Sequence, residues 1–283
     1  MPSLFLKDRS LLSVGGAEAS AFLQNLITTD LASLAAGEAR PGALLTPQGK
    51  ILFDFMIWKE GDGFVLETDA AQADGLLKRL IMYRLRAPIQ IVALPAPGVT
   101  VSWDDAAAAG VTDTRFVKAG ITLTRQAGDQ TAGRDVADED TYRALRIDAG
   151  IAVSGADFPL SDAFPHDVLM DMNGGLSFRK GCYVGQEVVS RMQHRGTARR
   201  RVAIVSAGED LPAMGTTLVA GGKPVGTLGS VAGNRGLAVL RIDRAGEAMA
   251  EGLPILAGEV PVTLTLPAWT GLSFPTSADE ATA

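Results

Sequence analysis

The chain has 283 residues, 47% hydrophobic and 20% charged, a globular composition long enough for about two domains with their own cores. Its formal net charge of −6 argues against a general polyelectrolyte binder of nucleic acid, whose affinity comes from cations neutralising phosphates. One cysteine, Cys182, and two histidines, His166 and His194, exclude an internal disulfide, a four-thiolate iron-sulfur site and a Cys/His zinc site, so no metal is held by this chain alone.

The start, MPSLFLKDRSLLSV, has no long apolar run behind a basic segment, and no stretch of the chain approaches the ~18 apolar residues of a membrane span. The expectation is a soluble, untargeted, cytoplasmic protein of bacterial type with no membrane partner. After an N-terminal strand, GAEASAFLQNLI places Phe22, Leu23, Leu26 and Ile27 on one face at helical spacing. Three apolar segments between 43 and 68 are separated by Pro47-Gln48-Gly49 and Gly61-Asp62-Gly63, which predicts an antiparallel meander. Asp69 stands as the N-cap of a helix burying Ala73, Leu76, Leu77, Leu80 and Ile81, and PIQIVAL follows as a strand. LPAPG at 94–98 is a stiff connector, and 99–137 reads as a mixture of weak strand and loop. Asp138 or Asp140 then caps a helix carrying Leu145 and Ile147 to a stop at Gly150. After Arg201, short β-rich runs joined by Gly-Gly and Gly-Asn turns predict a small antiparallel barrel, and the closing PTSADEATA lacks apolar anchors, as a flexible tail does.

The stretch RKGCYVGQEVVSRMQHRG, 179–196, holds the lone thiol. Gly181 and Gly185 let the backbone bend around Cys182, and a helix is predicted from Gln186 to Met192, with Glu187 complementing its dipole in the first turn. A thiol near that helix start, beside Arg179 and Lys180, gains thiolate character, the reactive and metal-binding form; a buried spacer is the plainer alternative. A protease-like role would need folding to bring His166 or His194 within reach as a base. Tyr183 either packs or offers its hydroxyl to a ligand. Arg179, Lys180, Arg191, Arg195, Arg199, Arg200 and Arg201 face one acid, Glu187, between 179 and 201. That excess forms either a solvated face or a cradle for a carboxylate tail, a phosphate or an RNA backbone.

KGCYVGQE at 180–187 resembles the Lys-Gly-Cys-Tyr-x-Gly-Gln-Glu signature of the YgfZ-type folate-binding proteins, with Lys180, Gly181, Cys182, Tyr183, Gly185, Gln186 and Glu187 at every specified position. NGGLSFRKGCY, QEVVSRMQHRGTARRR and AFLQNLITTDL with GALLTPQGKILFDF extend the resemblance over nearly the whole chain, weakest at 99–137. These proteins are similar to the T-protein of the glycine cleavage system, an aminomethyltransferase that uses tetrahydrofolate. The resemblance implies an α+β, aminomethyltransferase-like fold. Two interleaved α+β subdomains around a central pocket would span 1–197, a C-terminal antiparallel β-barrel 198–272, and a flexible tail 273–283. RALRIDAGIAVSGADF is similar to a T-protein segment of Leu-Arg-x-Glu-x-Gly type, with Asp148 in place of Glu. Two departures stand out: no Gly-Tyr-Thr-Gly-Glu segment precedes Tyr142, and of the T-protein's paired aspartates only Asp54 remains.

The implied role is therefore a tetrahydrofolate-binding accessory protein for assembly, repair or maintenance of iron-sulfur clusters. It would act through Cys182, with Lys180 as the thiol's electrostatic partner. One thiolate could share a transient cluster with an iron-sulfur assembly protein or a client iron-sulfur enzyme. Candidate folate contacts are Tyr142 as a stacking platform, Arg9 for the glutamate tail and Asp54 for the pterin. Two alternatives remain open: a folate-dependent aminomethyltransferase or other one-carbon transferase, and an RNA-interacting module built on the basic segment 195–201.

Overall fold

The computed structural model describes residues 2–95, 97–104 and 109–275. The chain forms two compact units, one of residues 1–138 and 170–186 and the other of 139–169 and 187–283. This division differs from a boundary at 197, because 139–169 and the stretch from 187 group with the barrel. Of the tail expected at 273–283, the part from 276 onward lies outside the described residues.

The described strands are β1 (Pro2–Leu6), β2 (Arg9–Gly15), β3 (Glu38–Leu45), β4 (Ile51–Glu60), β5 (Gly63–Asp69), β6 (Gln90–Ala93), β7 (Val99–Trp103), β8 (Val111–Asp113), β9 (Leu123–Ala127), β10 (Asp135–Val136), β11 (Arg200–Ala207), β12 (Thr217–Ala220), β13 (Lys223–Ala232), β14 (Arg235–Arg241), β15 (Ile255–Ala257) and β16 (Val260–Thr265). The helices are α1 (Ala19–Gln24), α2 (Ala70–Arg84), α3 (Thr114–Lys118), α4 (Glu139–Ala149), α5 (Met170–Asn173), α6 (Gln186–His194) and α7 (Ile242–Ala250).

The first unit is built on one sheet in the order β10-β1-β7-β9-β8-β3-β4-β5-β2-β6. Its pairings are antiparallel except β1 with β10 and β3 with β8. The predicted meander is β3, β4 and β5, turning at Gly49 and Gly61, both with positive φ. Asp69 does cap α2, its carboxylate accepting from the Ala71 N–H at 2.8 Å. Leu76 and Leu80 are fully buried in a core with Leu12, Val14, Leu66 and Ile91, about 1.5–3 kcal/mol of burial each. Ile81, expected in that core, is 43% exposed instead. The helix packs on β2, β5 and β6, and Ile81, about 100° round the helix from Leu80, falls outside the stripe that Leu76 and Leu80 bury.

The opposite face of the meander is buried as well, around Leu11, Met56, Trp58, Val65 and Val99. Residues 99–137 are more ordered than a strand and loop mixture, forming β7 to β10 with α3 between. The alternation in VTVSW imitates a half-exposed strand, yet all five residues are buried. Thr100 donates to the Gly128 carbonyl at 2.8 Å and Ser102 Oγ meets Ser3 Oγ at 2.9 Å, which satisfies the polar side chains inside.

The second unit holds a closed barrel, β11-β14-β13-β12-β15-β16, turning at Gly221-Gly222 and at Gly233-Asn234 as the sequence predicts. Its core includes Val205, Leu218, Leu228, Leu240 and Leu264, sealed by Ala245 and Ala248 of α7. α4 packs on β13 and β14 and ends at Gly150, φ +68°. Its buried Arg146 donates to Asp157 Oδ2, the Ile151 carbonyl and Ser230 Oγ, fastening helix, loop and barrel.

Candidate functional site

The segment 170–186 closes the first unit. Thr28 is its hinge point: the hydroxyl donates to the Gly175 carbonyl at 2.6 Å and accepts from the Ala43 N–H at 2.9 Å, while its carbonyl accepts from the Ser177 N–H at 3.0 Å. Lys180 then reaches back, its ammonium donating to the carbonyls of Ile27 at 2.7 Å and Thr29 at 3.0 Å. The same ammonium stands 5.2 Å from the centre of the Tyr183 ring. Burial lowers the Lys180 pKa to about 8, with the negative charge of Asp30 opposing the shift. Tyr183 is buried, its hydroxyl donating to the Ser177 carbonyl at 3.4 Å, and burial pushes its phenol above the ordinary range. Gly185 has φ +80°, and a Cβ there would lie 2.5 Å from the Thr46 carbonyl oxygen and 3.0 Å from Leu45 Cβ. Only glycine fits that contact between the loop and the β3–β4 turn.

Cys182 is exposed, held between these anchored neighbours. The signature thus divides by role. Lys180, Tyr183 and Gly185 fasten the loop, whereas Gly181 and Cys182 face solvent, and Gln186 is half-buried at the start of α6. Glu187 forms an exposed i,i+4 pair with Arg191 at 2.6 Å. The hydrogen bonds of Lys180 go to main-chain carbonyls, not to the thiol it was expected to partner. Such a loop offers one accessible sulfur on a fixed frame, suited to ligation or thiol exchange.

The histidines belong to the second unit. His166 is buried, its Nε2 3.2 Å from Gln193 Oε1, and His194 is exposed. Two cations of the basic segment are spent on structure in that unit: Arg200 lies 3.4 Å from Asp162 and 3.8 Å from Asp167, and buried Arg201 donates to the His166 carbonyl at 2.7 Å. The excess of positive charge at 179–201 is therefore not one open cradle.

Of the folate candidates, Tyr142 is buried in α4 of the second unit, and Arg9 and Asp54 lie in the first. The ladder register sets Arg9 opposite Asp69 across β2 and β5. Asp54 Oδ1 accepts from Gln72 Nε2 at 3.2 Å, and Arg9 Nε donates to Glu67 Oε1 at 2.8 Å. Glu67 leads to a chain of charges that sequence reading missed. Arg125 bridges Glu67 and Asp113, and Asp113 also holds Arg115 at 2.7 Å. Burial alone would raise the Glu67 carboxyl, but the charges of Arg125 and Arg9 overcome it and hold the group at about 2. Thr28, Thr29 and Asp30 were likewise missed as anchors; their signal was a polar run, TTD, between two apolar segments.

Comparison with known proteins adds the lineage. Residues 199–272 match the family described as the C-terminal beta-barrel domain of CAF17. A protein of Pyricularia oryzae named iron-sulfur cluster assembly factor IBA57 homolog, mitochondrial, is 35% identical over 218 residues, covering 70% of this chain and 55% of its own. The human iron-sulfur cluster assembly factor IBA57, mitochondrial, is 32% identical over 270 residues, covering 83% of this chain and 76% of its own. The chain belongs to the IBA57 family. It spans little more than half the length of the fungal IBA57 homologs it matches. The crystal structure of glycine cleavage system aminomethyltransferase T from Bartonella henselae aligns with a TM-score of 0.69 at 16% identity, over 94% of this chain and 85% of that one. The fold is therefore aminomethyltransferase-like, mixed α+β, with a closed C-terminal barrel. One expectation is refined and one corrected. The family these relatives name is IBA57, with a CAF17-type barrel, which narrows the YgfZ-type resemblance without opposing it. The cytoplasmic placement is overturned, since the IBA57 relatives are named as mitochondrial proteins. Among the described residues no helix is long and apolar enough to cross a membrane.

Proposed function

We propose that this IBA57-family chain supports the assembly, repair or maintenance of iron-sulfur clusters on partner proteins through Cys182, and that it binds tetrahydrofolate. The observation that carries the first part is the exposed thiol on a loop clamped by Lys180, Tyr183 and Gly185. A single thiolate completes a cluster only together with ligands from another protein, so iron-sulfur assembly proteins or client iron-sulfur enzymes are the partners this reading requires. The names of the IBA57 relatives support it. The signature at 180–187, as YgfZ-type proteins carry it, supports the same residue.

The folate part is supported by the aminomethyltransferase-like fold and by Asp54 beside Gln72, a carboxylate and an amide that together match the donor and acceptor edge of a pterin. Arg9 is already engaged by buried Glu67, so it suits the folate's glutamate tail less well. With half of the acidic pair missing, accessory binding is favoured over one-carbon transfer.

The test is complementation of a deletion strain. Cys182→Ser is expected to fold, to bind tetrahydrofolate as the unaltered protein does, and to leave cluster-dependent enzymes inactive. Full rescue by that variant would sink the thiol's role, and absence of saturable tetrahydrofolate binding would sink the folate part. Production of methylenetetrahydrofolate from an aminomethyl donor at enzyme-like rates would favour the transferase.

A further inference from the structure

We propose that the C-terminal half of α2 and the edge strand β6 form a docking surface for an acidic, strand-forming segment of a partner protein, apart from the thiol loop. No Asp or Glu occurs between Asp74 and Asp104, although the chain as a whole is acidic. Lys78, Arg79, Arg84 and Arg86 fall in that stretch, and among the described residues none of them has an ion-pair partner. Around them the surface is apolar. Ile81 is 43% exposed, Met82 54%, Leu85 85% and Val92 50%. Lys78, Ile81 and Met82 follow the i, i+3, i+4 spacing of one helical stripe, the pattern of a face that meets a partner, and Leu85 follows just past the helix end. Leu85 is also held at φ +50°, an uncommon conformation for a branched side chain, with its apolar group in solvent.

The sheet supplies the reason to expect a peptide. Among the described residues β6 is the last strand, paired on one side only with β2, and α2 packs against both. The Leu94 N–H donates to the Leu11 carbonyl at 2.8 Å. By the alternation of an antiparallel ladder, the N–H and C=O groups of Ile91 and Ala93 then point away from β2, toward the open edge. An added strand would pair with those groups while its acidic side chains, on the side of Ile91 and α2, meet the free cations and its apolar ones, on the opposite face, cover Val92. An anionic membrane would satisfy the cations and the stripe but has no main chain to offer the edge.

The experiment uses the full chain and a fluorescent synthetic peptide of about ten residues alternating Glu and Val, followed by anisotropy. Saturable binding is expected, weakened about tenfold or more when salt rises from about 0.05 to 0.5 M and by the double variant Lys78→Glu/Arg86→Glu. Ala93→Pro removes an outward N–H and spares the ladder to β2, so it is expected to weaken binding by a similar factor with an unchanged Tm. Val92→Asp gives the same loss and serves should Ala93→Pro prove unstable. A peptide with Lys in place of Glu is expected not to bind. The proposal is overturned by a lack of saturable binding, by binding indifferent to both edge variants, or by vesicles containing phosphatidylglycerol capturing the protein where the peptide does not.

Discussion

Two sets of cations in the first unit have opposite fates. Arg9, Arg115 and Arg125 are joined to Glu67 and Asp113 in a continuous chain that links β2, β5, β8 and β9. Lys78, Arg79, Arg84 and Arg86 on and after α2 have no ion-pair partner among the described residues. Pairing, not the number of charges, separates cations that hold the fold from those free to meet another molecule. Lys180 is an intermediate case, half-buried and bonded to neutral carbonyls instead of an acid.

This contrast can be broken most sharply at its buried end. Arg125→Met strands two carboxylates inside the sheet, and a loss of about 3–5 kcal/mol is expected in urea unfolding. A loss near zero would mean the chain of charges is ornamental. Acid probes the same place without a mutation. The folded Glu67 carboxyl titrates at about 2 against an ordinary 4.5, so its stabilisation is complete above pH 4.5 and drains away as pH falls toward 2. That amounts to roughly 3 kcal/mol, and Glu67→Gln is expected to remove this component of the acid profile.

Lys180→Met leaves the Ile27 and Thr29 carbonyls without their donor, for an expected loss of about 1–2 kcal/mol. Its folded pKa is about 8 against 10.5, so between those values the unfolded chain binds more protons and this group's contribution to stability rises with pH. Unfolding followed from pH 8 to 10.5 should show that gain in the unaltered protein and not in the variant. At the free end, Lys78→Gln and Arg86→Gln should each change stability by less than about 0.5 kcal/mol. A larger change would place those cations with the structural set.

Local chemistry was legible and long-range pairing was not. The meander and the barrel were announced by glycine turns between apolar runs, α2 by Asp69, and the thiol loop by 180–187. α7 was missed because RIDRAGEAMA buries small residues, Ala245, Gly246 and Ala248, which make no apolar stripe to read. β7 was underrated because its Thr100 and Ser102 are satisfied inside the sheet, not by water. Glu67 and Arg125 are 58 residues apart, and Lys180 finds its carbonyls 153 and 151 residues away, distances at which no spacing rule operates. The site was half visible for the same reason: Cys182 could be singled out, but not what clamps the loop that presents it.

The contacts of Thr28 also govern when the protein can finish folding as it is made. Its hydroxyl and carbonyl are answered from Gly175 and Ser177, and Ile27 and Thr29 wait for Lys180. A ribosome adding about 5–20 residues per second leaves the sheet of the first unit open at that seam for seconds, until 139–169 has emerged and the 170–186 segment can return. During synthesis Cys182 thus arrives with the last piece of its own support.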